Sequence, residues 1–193
     1  MCSGKTRVGR ELARLLGRQH VDLDRRIEEQ VGPLLPFFNE KGEAEFRRME
    51  AEMIGEVARR TDVVVSTGGG TPMAGDNMAR MKAAGTVVWL DVPIDVLMPR
   101  IERAGGDRPL LHGLKGNALK EKVNDLLASR LPVYARAQWR MKATGTPAAI
   151  ADRIRQLLDL HARETASFFP SSTLMCSCSV VLRVRPTISA RTG

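Results

Sequence analysis

Gly4-Lys5-Thr6, near the start of this 193-residue chain, has the residue types and order of the closing half of a phosphate-binding loop. The full pattern is G-x-x-x-x-G-K-[ST], behind an apolar strand. Its backbone N–H groups and a helix N-terminus face phosphate oxygens, the lysine reaches the β- and γ-phosphates, and the hydroxyl meets magnesium. Counting back five residues from Gly4 puts the first glycine ahead of Met1, so the loop's first half and its strand are expected to be missing. Three further groups carry chemistry. Asp22 and Asp24 in "DLD" close a predicted strand. Residues two apart on a strand project the same way, so one carboxylate suits a metal and the other a substrate hydroxyl. The alternative for this pair is a solvated strand end and a helix cap. Gly68-Gly69-Gly70 follows an apolar run, and such an entropic cost points to close approach of backbone and ligand. Arg47, Arg108 and Arg130 offer guanidinium forks in "GEAEFRRME", "DRPLL" and "SRLPVY". Each alone also fits a surface ion pair.

These groups need elements to hold them. Val8, Leu12, Leu15 and Leu16 predict a helix over 4–17, followed by a short strand, "HVDLD", at 20–24. A helix starts at "RRIEEQ" and is interrupted by the two prolines of "GPLLPFFNEKG"; another covers 43–60. "DVVVST" (62–67) and "TVVWLDV" (86–92) are apolar runs too short for helices, and predict buried parallel strands. "GDNMARMKAAG" lies between them as a helix. "PIDVLMPRIER" is helical, with Pro99 expected to kink or shorten it. Residues 104–117 are rich in turn formers, 118–138 are helical, and "WRMKA" (139–143) is a strand candidate. A closing helix begins with Thr146 as N-cap and Pro147 at its first position. Strands alternating with helices give an α/β fold whose parallel sheet is covered on both faces.

Composition narrows the classes of partner. The chain has the length of one domain, and at 43% hydrophobic it can bury a normal core. No run of eighteen apolar residues or secretory signal is visible, so neither a membrane span nor export is expected. Cysteines occur only at 2, 176 and 178, which fits a reducing cytoplasmic setting better than a disulfide framework. The net charge is +8, which suits small anions. Nucleic acid is not expected as a partner, because only 4% of residues are aromatic and the basic residues are interspersed with acids. After about residue 164 the chain turns serine- and threonine-rich, and it carries no acid from Thr165 onward. Residues 163–193 are expected to be a disordered or non-native tail, with pairing of "CSVVLRVRP" to the sheet as the alternative.

The motifs occur in a distinctive order. Gly4-Lys5-Thr6, Asp22-Leu23-Asp24, Gly42 through Glu50, Gly68 to Gly70, Arg108 to Leu111 and Arg130 to Tyr134 together resemble shikimate kinase. The resemblance covers residues 1 to about 160. It implies a three-layer P-loop fold of the nucleoside-monophosphate-kinase type, with a five-stranded parallel sheet whose first, central strand is missing here. It also implies a kinase domain over 1–162 with a lid at about 104–117. The implied reaction moves the γ-phosphoryl of ATP to the 3-hydroxyl of shikimate, on the route to aromatic amino acids, in a monomer using Mg²⁺.

Residue roles implied by the resemblance follow position by position. Lys5, Asp24 and Arg108 are catalytic. Asp24, Arg47, Gly69, Gly70 and Arg130 bind shikimate, beside an apolar wall of Phe38 and Phe46. Ser3, Gly4, Lys5, Thr6, Arg7, Arg100, Arg108 and Pro147 bind ATP, while Thr6 and Asp22 serve the metal. Arg7 stands where the family has a second Ser or Thr. The alternatives are an inactive truncated remnant of such an enzyme and another small-molecule P-loop kinase, such as a gluconate kinase.

Overall fold

The computed structural model describes residues 2–104, 109–166 and 180–182. Helix α1 (Lys5–Leu16) forms because Val8, Leu12 and Ala13 share one buried side, and Gly17 ends it in the left-handed conformation (φ 63°). Strand β1 (Gln19–Asp22) runs parallel to β2 (Val63–Ser66), with Asp22 opposite Ser66. All four residues of β2 are buried, as its unbroken apolar run requires. Strand β3 (Thr86–Asp91) runs parallel to β4 (Trp139–Lys142). One sheet face, through Val64, Val88, Leu90 and Met141, packs on α1 and α7 (Pro147–Ala166). The other, through Val21, Val63, Val65 and Val87, packs on α2 (Leu23–Val31), α3 (Leu34–Val57) and α4 (Asn77–Ala84). A separate apolar cluster joins Leu97 and Ile101 of α5 (Ile94–Arg103) to Leu119 and Val123 of α6 (Gly116–Tyr134). No helix among the described residues is long and apolar enough to cross a membrane.

The expected three-layer α/β architecture is present, but four local expectations need correcting. First, the place between β2 and β3, expected to lack its strand, holds β5 (Val180–Leu182), antiparallel to both neighbours. The sheet is therefore five-stranded, in the order β1-β2-β5-β3-β4, and parallel apart from β5. Backbone pairing decides this, because unpaired inner edges on β2 and β3 are costly. Of residues 163–193, expected as a tail, 163–166 end α7 and 180–182 form β5; the remainder lie outside the described residues.

Second, Asp24 is not on a strand. β1 stops at Asp22, whose carboxylate accepts from the Arg25 N–H at 3.3 Å and so caps α2, with Asp24 in the first turn. Third, the interruption expected from "GPLLPFFNEKG" is present but short: α2 ends at Val31, and only Gly32 and Pro33 separate it from α3. Pro36 lies in the first turn of α3, where N–H groups have no helical partner to lose. A second break falls inside α3 at Gly42 (φ 79°, ψ 173°). Fourth, α5 runs through Pro99 to Arg103. Within 104–117, Pro109–Leu111 form a short 3₁₀ turn and α6 has begun by Gly116. Thr146 caps α7 as expected, its hydroxyl accepting from Ala149 N–H at 3.2 Å.

Candidate active site

At one end of the site, Gly4 sits at the N-cap of α1 with φ 83°, a backbone turn that needs no side chain and supplies no side-chain cap. The first N–H groups of α1 are thus left for a ligand, at the positive end of the helix dipole. They open on a cavity of about 570 Å³. Ser3, Gly4, Lys5, Thr6 and Arg7 line it from the loop and α1, Arg100 from α5 and Pro147 from α7. Every residue expected at the nucleotide is therefore brought together, except Arg108, which lies outside the described residues. Arg103, one helical turn beyond Arg100, and Ile150 line the same cavity and were not foreseen. The spacing of Arg103 from Arg100 was the available signal for it.

The seat of α1 is set by close approach to the sheet. A Cβ on Gly9 would lie 2.6 Å from Ser66 Oγ and 2.8 Å from His20 Nε2, so only glycine fits there. His20 Nε2 and Ser66 Oγ are hydrogen-bonded at 2.9 Å, and the Ser66 hydroxyl lies 3.4 Å from the Lys5 carbonyl oxygen, to which it donates. Burial holds the His20 imidazole below its usual range, with Asp22 opposing and Arg10 adding to the shift. At the pair expected to serve the metal, the Thr6 hydroxyl donates to Asp22 Oδ2 at 2.6 Å. One hydroxyl and one carboxylate are oxygen donors of the kind Mg²⁺ takes when phosphates and water complete its shell. No cluster of three or more acidic, His or Cys ligands exists among the described residues.

The other end of the site is built differently. Arg47, on α3, donates through Nη1 to Glu50 Oε2 at 2.5 Å and through Nη2 to Glu43 Oε1 at 2.7 Å. Its guanidinium lies against Gly70 so closely that any Cβ there would clash with it. A Cβ on Gly68 would lie 2.6 Å from Glu50 Oε1 and 2.7 Å from Asp24 Oδ1. The glycine triplet therefore makes room for one cation and two carboxylates. Glu50 is fully buried and also bonds the Thr71 hydroxyl. Burial pushes its carboxyl above the usual range, Arg47 and Thr71 oppose this, and Asp24 adds to it. Burial also works against the Arg47 charge, but Glu50 and Glu43 outweigh it and hold the guanidinium above its usual range.

Phe46 is buried, with the Phe38 ring 5.4 Å away and the Arg47 guanidinium 5.5 Å over its own ring. Arg130 on α6 is also buried, at 6% exposure, with no hydrogen bond or ion pair to a described residue. It lines a cavity of about 200 Å³ with Ser3, Asp91, Leu97 and Tyr134. One turn further along α6, the Tyr134 hydroxyl donates to the Gly69 carbonyl at 2.5 Å and ties the helix to the triplet. Glu50, Thr71 and Tyr134 were not assigned from sequence, although Glu50 and Tyr134 close two of the motifs.

The chain's likeness to known proteins matches this geometry. A family model described as Shikimate kinase matches residues 1–159. The chain is 40% identical over 170 residues to a shikimate kinase of Bacteroides fragilis, covering 83% of this chain and 93% of that one. It is 39% identical over 168 residues to one of Gloeobacter violaceus, covering 86% and 93%. Among solved structures, a shikimate kinase from Acinetobacter baumannii in complex with shikimate superposes with a TM-score of 0.77 at 35% identity, covering 83% and 89%. The Bacteroides thetaiotaomicron shikimate kinase superposes at 0.75 and 38% identity, covering 82% and 94%.

Proposed function

The chain belongs to the shikimate kinase family, and from that premise we propose how its residues divide the transfer of the γ-phosphoryl group of ATP to the 3-hydroxyl of shikimate. The reaction is a step in aromatic amino acid biosynthesis. A new bond forms from the substrate oxygen to the γ-phosphorus, the bond from that phosphorus to ADP breaks, and the hydroxyl proton leaves toward Asp24. Such a transfer is governed by positioning and charge stabilisation.

We assign the nucleotide to the cavity at the N-terminal ends of α1 and α7, and the kinase domain to residues 1–162. The free N–H groups after Gly4, with Lys5, hold the phosphates, while Arg100, Arg103 and Pro147 flank the base. Thr6 and Asp22 would hold Mg²⁺, which when bound neutralises charge on the phosphate oxygens. Asp24 accepts from the acceptor hydroxyl and orients it. Arg47 and Arg130 grip the shikimate carboxylate, for which planar guanidinium forks are suited. Gly69 and Gly70 meet the substrate through backbone, with Phe38 and Phe46 as the apolar wall.

The observation that most supports this division is the single cavity shared by Gly4–Arg7, Arg100 and Pro147, coupled through the Thr6–Asp22 bond to the helix turn bearing Asp24. The test is ADP release by the full chain, with ATP and Mg²⁺, with and without shikimate. Turnover that depends on shikimate is expected. Absence of any shikimate-dependent ADP would favour an inactive remnant, and turnover with gluconate instead would favour another small-molecule kinase.

A further inference from the structure

Arg7 occupies an electrostatically poor position unless an anion shares it. It is in the first turn of α1, where the helix dipole presents its positive end and favours anions over cations. That turn contains no acidic residue, and Lys5 already adds a charge two positions away. Arg7 is exposed, and no hydrogen bond or ion pair joins its side chain to a described residue. The contrast within α1 is direct: Arg14, in the last turn, where the dipole favours a cation, is also paired with Glu11 at 3.2 Å. Yet Arg7 is on the wall of the nucleotide cavity, with Lys5, Arg100 and Arg103. Four cations around one cavity of about 570 Å³ exceed the charge carried by magnesium-bound ADP.

Resting on the assignment of this cavity to the nucleotide, we infer that Arg7 is a phosphate ligand that sets how tightly the diphosphate product is held. A guanidinium with no partner among the described residues gives its full fork to phosphate oxygens and does so beside a helix N-terminus. The same contact is available to product as to substrate. It therefore tightens ADP and slows its departure, and product departure limits turnover in many enzymes. An exposed ligand of this kind is also screened by salt, so ADP affinity falls steeply as ionic strength rises.

The experiment titrates ADP and adenosine into the full chain and into Arg7→Thr, Arg7→Lys and Lys5→Met, at low and high salt. Thermal melting checks that each variant is folded. Arg7→Thr should weaken ADP about tenfold, the scale of one lost charge-assisted contact, and make its affinity less salt-dependent. Adenosine, which has no phosphate, should bind both proteins equally, and Arg7→Lys should recover part of the ADP affinity. Steady-state turnover should show a higher KM for ATP in Arg7→Thr and weaker inhibition by added ADP. Unchanged ADP affinity in Arg7→Thr overturns the inference, and so does an equal loss for adenosine, which would mark a shape effect on the cavity. Lys5→Met separates this from the underlying assignment. If it too binds ADP as tightly as the parent chain, the cavity is not the nucleotide site. If it loses ADP while Arg7→Thr does not, only the role of Arg7 fails.

Discussion

The two ends of the site manage charge in opposite ways. Around the cavity proposed for the nucleotide, Lys5, Arg7, Arg100 and Arg103 have no acidic partner among the described residues, and the opening N–H groups of α1 have no side-chain cap. Around the glycine triplet, Arg47 is held by two glutamates, Glu50 by Arg47 and Thr71, and Gly69 by Tyr134. The proposed ligands account for the difference. A polyphosphate brings enough negative charge to satisfy an open cluster of cations. A single carboxylate on a small ring brings one charge, so Arg47, proposed to clamp it, is oriented in advance by internal bonds. In this proposal one end is completed by its ligand, while Arg47 at the other is already held by its glutamates.

Changes at each end should therefore differ in kind. The largest effect is expected from Lys5→Met, because Lys5 is the residue proposed to reach the β- and γ-phosphates. ADP release should fall at least about a hundredfold, the scale of losing one key charge-stabilising group, with melting unchanged. Retained turnover would remove Lys5 from its role.

Next is Gly70→Ala, which forces a methyl group against the Arg47 guanidinium. The guanidinium is the free end of a long side chain, so the fold should tolerate the change. The clamp should not: shikimate affinity should drop roughly tenfold or more, since lost charge-assisted bonds are the strong ones, while ADP affinity stays. Equal losses for both ligands in calorimetry would erase the distinction between the two ends.

Glu50 tests the rigid end through pH. Its carboxyl is raised above 4.5 in the folded chain, so the folded state keeps a proton that the unfolded state gives up. That contribution to stability is present below about 4.5 and is lost as pH rises through the folded value. Glu50→Gln should remove this slope, which melting curves from pH 4 to 8 would reveal; a parallel pair of curves would count against a buried, proton-holding Glu50. The smallest effect is expected from Tyr134→Phe. It deletes one hydrogen bond to Gly69 and should lower stability by about 1 kcal/mol, with shikimate affinity falling more than ADP affinity.

Much of this was legible before any coordinates. The amphipathic helix behind Gly4-Lys5-Thr6, the buried runs at 62–67 and 86–92, and the capped helix from Thr146 are local patterns, and each element formed close to its expected place. Expectations failed where neighbours in space outweighed local signals. Asp22 was used as a helix cap, which ended β1 early and moved Asp24 onto α2. The break expected from "GPLLPFF" shrank to Gly32 and Pro33, because Pro36 fits the first turn of α3, where a missing N–H is harmless. Arg103 and Glu50 were overlooked because each becomes meaningful only when two helices bring it beside a glycine or a phosphate loop.

Sequence alone determined which chemistry the chain is built for. The order Gly-Lys-Thr, Asp-x-Asp, Gly-Gly-Gly and the arginines in their motifs named the ligand types, because residue type and spacing set donors, charges and backbone freedom. Only the tertiary structure decided which charges are held and which are left open. That depends on distances across elements remote in the chain: Tyr134 to Gly69, Thr6 to Asp22, and Arg47 to a glycine that leaves it room. It also decided that residues 180–182 stand between β2 and β3, because inner strand edges must find backbone partners wherever the chain supplies them.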